Sequence, residues 1–474
     1  MKTKQLFLIL LTFAAVSVNS QNKKQNVIFF LVDDLGWMDL SYRGSTFYET
    51  PNIDKVAMES MRFEQAYAAH PRCVPSRMAM VTGKFPARNS SPGRNESHLK
   101  KSEFTIAEAF KKGGYTTFFA GKWHLAGAEV YPEDQGFDYN YGGGHARAPK
   151  SYFYPYNKQK NPKNGNGKEK AILHLDDAQE GDYLTDHITR KTVEFIKSHK
   201  DEPFFAYVSH YGVHTPFEGK EAYKAKYQAK LDKNPPKGSD YIRIGDTGET
   251  KVHQDNTTYA SMIQSMDESF GAITKVLEEL HLDDNTIIVF TSDHGGLSNR
   301  GNKRGLATSN LPLRAGKGHN YEGGIRVPVF VKWPGVTKSG TTNKVITGTD
   351  YFPTLLEMNK LPLEQKQHLD GKSFMKTLQG KKDKDKDREI FWHSPVPRPT
   401  STGDRSNTAV RVGDYKLLDF YEEGYVELYN IAKDPSEMHN LAESNPEKAN
   451  ELLKKVKDWR KGINAFVKKP KKKK

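Results

Sequence analysis

The chain has 474 residues, a single cysteine and a net charge of +14, and this length allows one large domain or two. A lone cysteine cannot form an intramolecular disulfide, so a disulfide-built fold is excluded. The positive charge favours a polyanionic partner. Because no zinc finger, RNA-binding signature or basic-region helix is present, we expect no nucleic acid among its partners.

The first 20 residues have the features of a secretory signal peptide. Lys2 and Lys4 precede an apolar stretch over residues 6–16, and small residues follow at 18–20. The stretch is too short to span a bilayer, and no later run of about 18 apolar residues occurs. We therefore expect an exported protein, periplasmic or secreted, that does not span a membrane.

Apolar runs typical of strands alternate with segments of helical periodicity through most of the chain. The pattern predicts strands at residues 26–32, 115–120, 204–209, 286–291 and 327–332, and helices at residues 104–112, 182–198 and 257–280, with a further helix beginning at Thr50. This alternation is typical of a mainly parallel sheet with helices on both faces. It predicts an α/β catalytic domain over residues 21–380.

A charged run over residues 381–388 predicts a boundary. Beyond it, short strands are predicted at residues 389–393, 409–412 and 415–418, and a closing helix at residues 447–459. We therefore predict a smaller C-terminal α+β subdomain over residues 381–474. It would contain a small antiparallel sheet, the closing helix and a solvated Lys-rich tail.

Ionisable residues follow four of the predicted strands. They are Asp33 and Asp34 after the first, Lys122 and His124 after the second, His210 and His214 after the third, and Asp293 and His294 after the fourth. Open parallel sheets bind their ligands beyond the carboxyl ends of the strands. The sequence therefore predicts a site at this edge, and the Gly- and Asn-rich loop over residues 295–320 is expected to fold over it.

The three aspartates of this set are candidates for a metal site. Carboxylates that converge without a cation repel one another, and an oxygen-rich site suits calcium better than zinc. Asp33 and Asp34 taken alone could instead cap the next helix. His294 either completes the metal shell or forms a hydrogen bond within it.

The single cysteine lies in the run Cys73-Val-Pro-Ser-Arg77, followed by Thr82-Gly83. On its own, a lone cysteine is most often a buried inert residue. This run, however, resembles the maturation signature of the type I sulfatases of the alkaline phosphatase superfamily. The resemblance implies an alkaline phosphatase-like fold, one calcium ion, and a maturation enzyme that oxidises Cys73 to formylglycine.

Three further runs resemble motifs of that family in the expected order. They are Gly121-Lys122-Trp123-His124, the His-x-Pro core at His214, and the loop from Arg314 through Lys317 to Glu322-Gly-Gly-Ile-Arg326. The resemblance implies that the hydrated aldehyde at position 73 attacks a sulfate ester, that Arg77 holds this diol and that Lys122 and Lys317 bind sulfate. It also implies that His124 accepts a proton and that His214 protonates the departing alcohol. The implied metal ligands are Asp33, Asp34, Asp293 and His294.

Substrate identity is weakly encoded. Export, the positive charge and 11% aromatic residues favour a sulfated oligosaccharide or polysaccharide, and we expect one from marine algae, with His145 and Arg147 as candidate sugar-binding residues. Three alternatives remain open at this point: a phosphoester hydrolase of the same superfold, a catalytic cysteine enzyme, and an unmatured protein that binds sulfated glycans without catalysis.

Overall fold

The computed structural model describes residues 24–89, 99–125, 130–157, 172–382, 385 and 388–467. The predicted signal peptide and the Lys-rich tail from Lys468 lie outside these residues, as does the whole segment from residue 158 to residue 171. Among the described residues, no helix combines the length and apolarity needed to cross a bilayer.

The described residues form strands that belong to one large sheet and three smaller ones. The strands are β1 (Asn26–Val32), β2 (Met61–Phe63), β3 (Ala66–Tyr67), β4 (Thr116–Gly121), β5 (Tyr139–Tyr141), β6 (Phe204–Ser209), β7 (Tyr241–Arg243), β8 (Glu249–Lys251), β9 (Thr286–Ser292), β10 (Asn299–Arg300), β11 (Val329–Lys332), β12 (Gly340–Thr342), β13 (Ile346–Thr347), β14 (Glu389–Ser394), β15 (Asn407–Val412), β16 (Tyr415–Phe420) and β17 (Tyr425–Asn430).

The helices vary from single turns to long amphipathic segments. The α-helices are α1 (Pro51–Met58), α2 (Cys73–Thr82), α3 (Ile106–Lys112), α4 (Leu184–Ser198), α5 (Glu221–Lys233), α6 (Thr257–Glu279), α7 (Glu322–Ile325), α8 (Tyr351–Met358), α9 (Met375–Leu378) and α10 (Pro446–Gly462). Short 3-10 turns lie at Ser41–Arg43, Pro86–Asn89, Pro132–Gln135, Asp283–Asn285 and Gly348–Asp350.

The large sheet is mainly parallel, as predicted. Its eight strands have the order β12-β2-β11-β9-β1-β6-β4-β5. Strands β9, β1, β6, β4 and β5 pair in parallel, whereas β11 runs antiparallel to both of its neighbours. The carboxyl ends of the four strands predicted to carry site residues therefore meet at one edge.

Both faces of this sheet are covered, which explains the continuous apolar run in β1. Alternate β1 side chains, Ile28 and Phe30 on one face and Val27 and Phe29 on the other, enter two separate hydrophobic cores. A strand buried on both sides has no polar face to show in its sequence. Each residue of β1 is buried, so this strand lies at the centre of the fold.

The C-terminal subdomain has the predicted antiparallel sheet and closing helix. Strands β14 to β17 pair consecutively in antiparallel fashion. Helix α10 begins after Asn445, whose side chain accepts a hydrogen bond from the Lys448 amide. It packs Trp459 against Phe391, with ring centroids 4.6 Å apart. Trp392 donates to the Ala68 carbonyl at 2.8 Å, which ties this sheet to the catalytic part.

Most predicted boundaries agree with the structure to within two or three residues. Helix α3 begins at Ile106 with Thr105 and Glu108 forming a reciprocal capping box.

Helix α5 and strand β17 were not predicted from the sequence. Helix α5 buries only Tyr227, so it lacks the apolar stripe by which helices are recognised.

Candidate functional site

The cysteine lies at the amino end of a helix that points into the strand edge. Cys73 is the first residue of α2, and Arg72, at the N-cap, makes no side-chain capping bond. Helix amino ends carry a partial positive charge that attracts anions. The Cys73 thiol is buried and lies 3.2 Å from Nε2 of His294.

Arg77 lies one turn after Cys73 and ties the helix to three strand ends. Its Nε donates to Oδ2 of Asp293 at 2.8 Å, and Nη1 donates to Oγ of Ser209 and to the Lys122 carbonyl. Nη2 lies 3.4 Å from Asp33 and makes no hydrogen bond among the described residues. Nη2 is therefore the nitrogen of Arg77 left to bind another group.

Asp33 and Asp34 each face a lysine. Nζ of Lys122 lies 2.5 Å from Oδ2 of Asp33, and Nζ of Lys317 lies 2.6 and 2.7 Å from the two oxygens of Asp34. Although burial opposes ionisation, Lys122 keeps the pKa of Asp33 well below its usual range, and Lys317 lowers that of Asp34. Both carboxylates are therefore ionised at neutral pH.

Asp293 and His294 complete the cluster from the end of β9. Nε2 of His294 lies 3.2 Å from Asp34 and 3.6 Å from Asp293. Nδ1 lies 3.0 Å from the Gly295 carbonyl oxygen, and because that oxygen can only accept, Nδ1 is the donor. Burial raises the pKa of Asp293 to about 7. Burial lowers the pKa of His294, but the charges of Asp293 and the Cys73 sulfur outweigh burial and raise this pKa to about 9.

The thiol is polarised by the same surroundings. Burial alone would raise the pKa of Cys73, yet the positive charges of Lys122 and Lys317 lower it to about 5. The pocket thus stabilises negative charge at position 73, which is what a sulfate or an oxyanion there requires.

The donor set fits a hard dication. Single ligand atoms of Asp33, Cys73, Asp293 and His294 lie within 4.8 Å of one another, and a second such group joins Asp34 and His214 to Asp33 and Cys73. Oδ1 of Asp33 is buried without a hydrogen-bond partner among the described residues. Carboxylate oxygens are the ligands that hard cations prefer.

His124 and His214 face the same cavity from two other strands. The φ of His124, 54°, is left-handed, so the chain turns after Lys122 instead of continuing the strand. Burial and the Lys122 charge lower its pKa well below the usual range, and it is therefore neutral. His214 has Nδ1 2.7 Å from the Thr215 carbonyl and Nε2 3.8 Å from Asp34.

His210 lies apart from the cluster. Its Nε2 lies 3.0 Å from the hydroxyl of Ser269, and burial lowers its pKa to about 3. Glu322 and Arg326 form an ion pair, 3.5 Å apart. Both arrangements support structure rather than direct contact with a ligand.

A cavity of about 530 Å³ opens over the cysteine. Cys73, His124, His214 and Lys317 line it, and so does Arg147, whereas His145 does not belong to its lining. The ring of His145 instead lies 4.7 Å from that of Tyr131. Arg147 is thus brought to the cavity, while His145 remains a sequence prediction without this support.

Several lining residues were missed by the sequence analysis. They are His70, Arg72, Arg304, His393, Arg398, Ser401 and Thr402, among others. Those numbered above 390 come from the C-terminal subdomain, and no local pattern ties them to Cys73. His70 and Arg72 directly precede the cysteine motif, and that adjacency was the only available signal.

Comparisons with known proteins agree with this geometry. The sulfatase family model matches residues 25–359, and the model for the C-terminal part of N-sulphoglucosamine sulphohydrolase matches residues 316–462. A sulfatase of Formosa agariphila is 30% identical over 90% of this chain and 86% of its own. The human N-acetylgalactosamine-6-sulfatase is 29% identical over 78% of this chain and 68% of its own.

Solved structures give the same result. The crystal structure of Ps i-CgsB superposes with a TM-score of 0.75 at 30% identity, covering 92% of this chain and 93% of that one. A phosphonate monoester hydrolase of Agrobacterium radiobacter, with a TM-score of 0.64 at 20% identity, shares the fold. The chain therefore belongs to the sulfatase family and is a sulfuric ester hydrolase.

Proposed function

We propose that this enzyme removes sulfate from sulfated carbohydrates, with Cys73 as the precursor of its nucleophile. One observation carries the proposal: the Cys73 thiol lies at the amino end of α2 and on the cavity wall, 3.2 Å from His294. A maturation enzyme would oxidise this thiol to formylglycine. The hydrated aldehyde has two hydroxyls, so one can attack sulfur and the other can later expel sulfate and restore the aldehyde.

The surrounding residues would each perform one task. Lys122 and Lys317 place fixed positive charge where the sulfate oxygens gain negative charge. Neutral His124 can accept the proton released when the diol collapses. In His214, Nδ1 donates to the Thr215 carbonyl, so Nε2 carries a proton only when the ring is protonated, and this imidazolium form would protonate the departing alcohol.

Calcium is the proposed metal, and Asp33, Asp34, Asp293 and His294 are its proposed ligands. When bound, it would supply positive charge beside the sulfate. The support is the donor set itself. Oδ1 of Asp33 is buried without a hydrogen-bond partner among the described residues, and hard cations prefer oxygen ligands. Lys122, Lys317 and Arg77 hold the carboxylates in place through ion pairs.

The proposed substrate is an oligosaccharide from a sulfated polysaccharide of marine algae. In support, Ps i-CgsB has been solved in complex with k-i-k-neocarrahexaose. Another relative, from Bacteroides thetaiotaomicron, is an N-acetylgalactosamine-6-O-sulfatase, which makes glycosaminoglycan fragments the competing class. Export to the periplasm or beyond, supported by the pattern in residues 1–20, would give access to such polymers.

Mass spectrometry of the peptide containing position 73 tests the nucleophile. We expect active protein to carry formylglycine there, and Cys73→Ala to lose sulfate release by at least about a thousandfold. Cys73→Ser provides a sharper variant, since serine can attack sulfur but has no second hydroxyl for release. It should accumulate one covalent sulfate per chain. Fully active protein with an unmodified cysteine would contradict the proposal.

Desulfation assays on a panel of defined substrates test the specificity. Sulfated algal oligosaccharides should react, and phosphate monoesters should react far more slowly. Reaction confined to glycosaminoglycan fragments or aryl sulfates would contradict the algal assignment while leaving the sulfatase assignment intact. Binding of sulfated glycans without any release by matured protein would favour a non-catalytic role.

A further inference from the structure

The cavity over Cys73 is lined by positive charges of two kinds. Arg72 forms an ion pair with Asp404, and Lys317 pairs with Asp34. Arg147, Arg304 and Arg398 also line the cavity, yet no carboxylate in the described part of the chain forms an ion pair with any of them. Among the described residues, the lining contains no acidic side chain. The outer cavity therefore carries cations that the fold itself does not neutralise.

Arg304 and Arg398 both line the cavity and are linked through Ser401, whose amide donates to the Arg398 carbonyl at 3.0 Å. Nη1 of Arg304 donates to the hydroxyl of Ser401 at 2.9 Å, and its side chain is half-buried. Burial lowers the pKa of Arg304, the charge of Asp34 opposes this shift, and the charge of Arg398 adds to it. Two like charges held together in this way repel each other, and an anion bound between them would relieve the repulsion.

The backbone that carries Arg398 is fixed. Its carbonyl accepts hydrogen bonds from the amides of Ser401, Thr402 and Gly403, and its own amide donates to Asp404 at 3.1 Å. Asp404 is in turn paired with Arg72, next to Cys73. The guanidinium of Arg398 thus projects, exposed, from a turn that is anchored to the cysteine helix.

The ester being cleaved does not require these two arginines. A sulfate ester carries a single negative charge, and Lys122, Lys317 and the amino end of α2 already surround position 73. A guanidinium binds planar or tetrahedral oxyanions through two parallel hydrogen bonds. A pair of them beyond the nucleophile therefore matches a second anionic group on the same substrate.

We propose that Arg304 and Arg398 form a second anion subsite, which binds a further sulfate or a carboxylate on the sugar adjacent to the one being desulfated. This inference rests on the proposed function, since it assigns the substrate a second charge. It makes Arg304 and Arg398 specificity-determining residues for multiply charged oligosaccharides.

Steady-state kinetics on two matched disaccharides test the subsite. One carries only the sulfate to be removed, and the other carries a second sulfate on the neighbouring sugar. The wild-type enzyme should prefer the second in kcat/KM, and Arg304→Ala or Arg398→Ala should reduce this preference about 10- to 100-fold, mainly through KM. Arg398→Lys, which keeps the charge, should retain part of it.

Lys303→Ala is the matched control. Lys303 is exposed, precedes Arg304 and is absent from the cavity lining, so removing its charge should leave the preference unchanged. An equal loss in Lys303→Ala would indicate long-range attraction rather than a subsite. An unchanged preference in both arginine variants would overturn the proposal, as would an equal loss on both substrates.

Calorimetric binding of the same disaccharides separates this proposal from the proposed function. In Cys73→Ala protein, which cannot turn over, the doubly sulfated disaccharide should bind more tightly than the other. The Arg398→Ala change should abolish that difference. If the matured wild-type enzyme released no sulfate while the Cys73→Ala protein still bound the doubly sulfated disaccharide more tightly, only the proposed function would be contradicted. If the Cys73→Ala protein bound both disaccharides equally, only the subsite would be contradicted.

Discussion

At the scale of single residues, the site is a balance of buried charges. Asp33, Asp34 and Asp293 face Arg77, Lys122, Lys317 and His294 at distances between 2.5 and 3.6 Å. Removing one partner from a buried pair leaves an uncompensated charge, at a cost of about 3–5 kcal/mol. Neither the carboxylates nor the cations can therefore be changed independently.

Calcium should stabilise the folded protein through this cluster. A ligand that binds only the folded state raises stability by about 2.7 kcal/mol at a hundredfold excess over its Kd, so the Tm should rise with added calcium and fall with a chelator. Asp33→Asn should greatly reduce this calcium-dependent shift, as followed by scanning calorimetry.

Asp267→Asn is the control for the calcium experiment. Asp267 is a buried carboxylate that accepts hydrogen bonds from Asn52 and Ile53, outside the cluster, and its variant should keep the full calcium response. If Asp33→Asn responded to calcium as strongly as the wild type, Asp33 would not be a ligand.

At the scale of elements, the site depends on how strands and helices end. Strand β4 ends at Gly121 with a φ of 102°, and a Cβ there would lie 1.9 Å from the Ser209 carbonyl oxygen of β6. The Lys122 amide donates to that same oxygen at 2.5 Å. Close contact of the two backbones thus sets the position from which Lys122 reaches Asp33.

Gly121→Ala should therefore disturb both the fold and the site. Because the clash involves backbone atoms and adds to the left-handed strain, the free energy of unfolding should fall by about 3 kcal/mol or more. Sulfate release should fall as well, because Lys122 is displaced. Urea unfolding and kcat measure the two effects.

Gly424→Ala separates strain from collision. Gly424 also has a left-handed φ, 82°, but nothing lies within 4 Å of a Cβ placed there. Its replacement should cost only the conformational penalty of about 1–2 kcal/mol. Equal losses at the two glycines would show that the contact with Ser209 is unimportant.

At the scale of the whole molecule, a buried ionic cluster joins the catalytic part to the C-terminal sheet. Lys416 of β16 lies 3.1 Å from Glu322 of α7 and 2.9 Å from Glu437. The Glu437 carboxylate also accepts a hydrogen bond from the Glu322 amide at 2.7 Å. Glu322 ends the loop that carries Lys317, so this cluster holds a cavity-lining loop against the C-terminal subdomain.

This cluster should make stability depend on pH. Burial raises the pKa of Glu437 to about 7, and Glu322 adds to the shift against the opposing charge of Lys416. The pKa of a glutamate in an unfolded chain is about 4.3, so Glu437 binds its proton more tightly in the folded protein. The resulting stabilisation is fully present below about pH 4 and is lost as the pH rises through about 7.

Glu437→Gln should remove this dependence. Between about pH 4 and 8, the free energy of unfolding should decline less in the variant than in the wild type, by up to about 3 kcal/mol. Urea unfolding across that range measures the difference. Glu443→Gln, at an exposed position in the same segment, should follow the wild-type curve, and identical curves for both variants would refute the argument.

The sequence by itself determined the centre of the fold and the members of the charge cluster. Strand β1 was predicted with its observed bounds because burial on both faces leaves an uninterrupted apolar run. Residues that follow parallel strands lie at one edge of the sheet, so Asp33, Lys122, His214 and Asp293 could be brought together without coordinates. The same rule also included His210, which lies apart from the cluster. Their roles in catalysis remain predictions until the variants are measured.

Tertiary structure alone decided the rest of the cavity. Arg398 reaches the neighbourhood of Cys73 only because the C-terminal sheet docks on the catalytic part, through contacts such as Trp392 with Ala68, 324 residues apart. Arg304 lies in the loop that was predicted to fold over the site, and its side chain contacts Ser401 of the C-terminal subdomain. Local patterns report which face of an element is buried, but they carry no information on which distant surface covers it. The candidate nucleophile Cys73 could therefore be identified from the chain, whereas the distant surface that completes the cavity around it required the folded molecule.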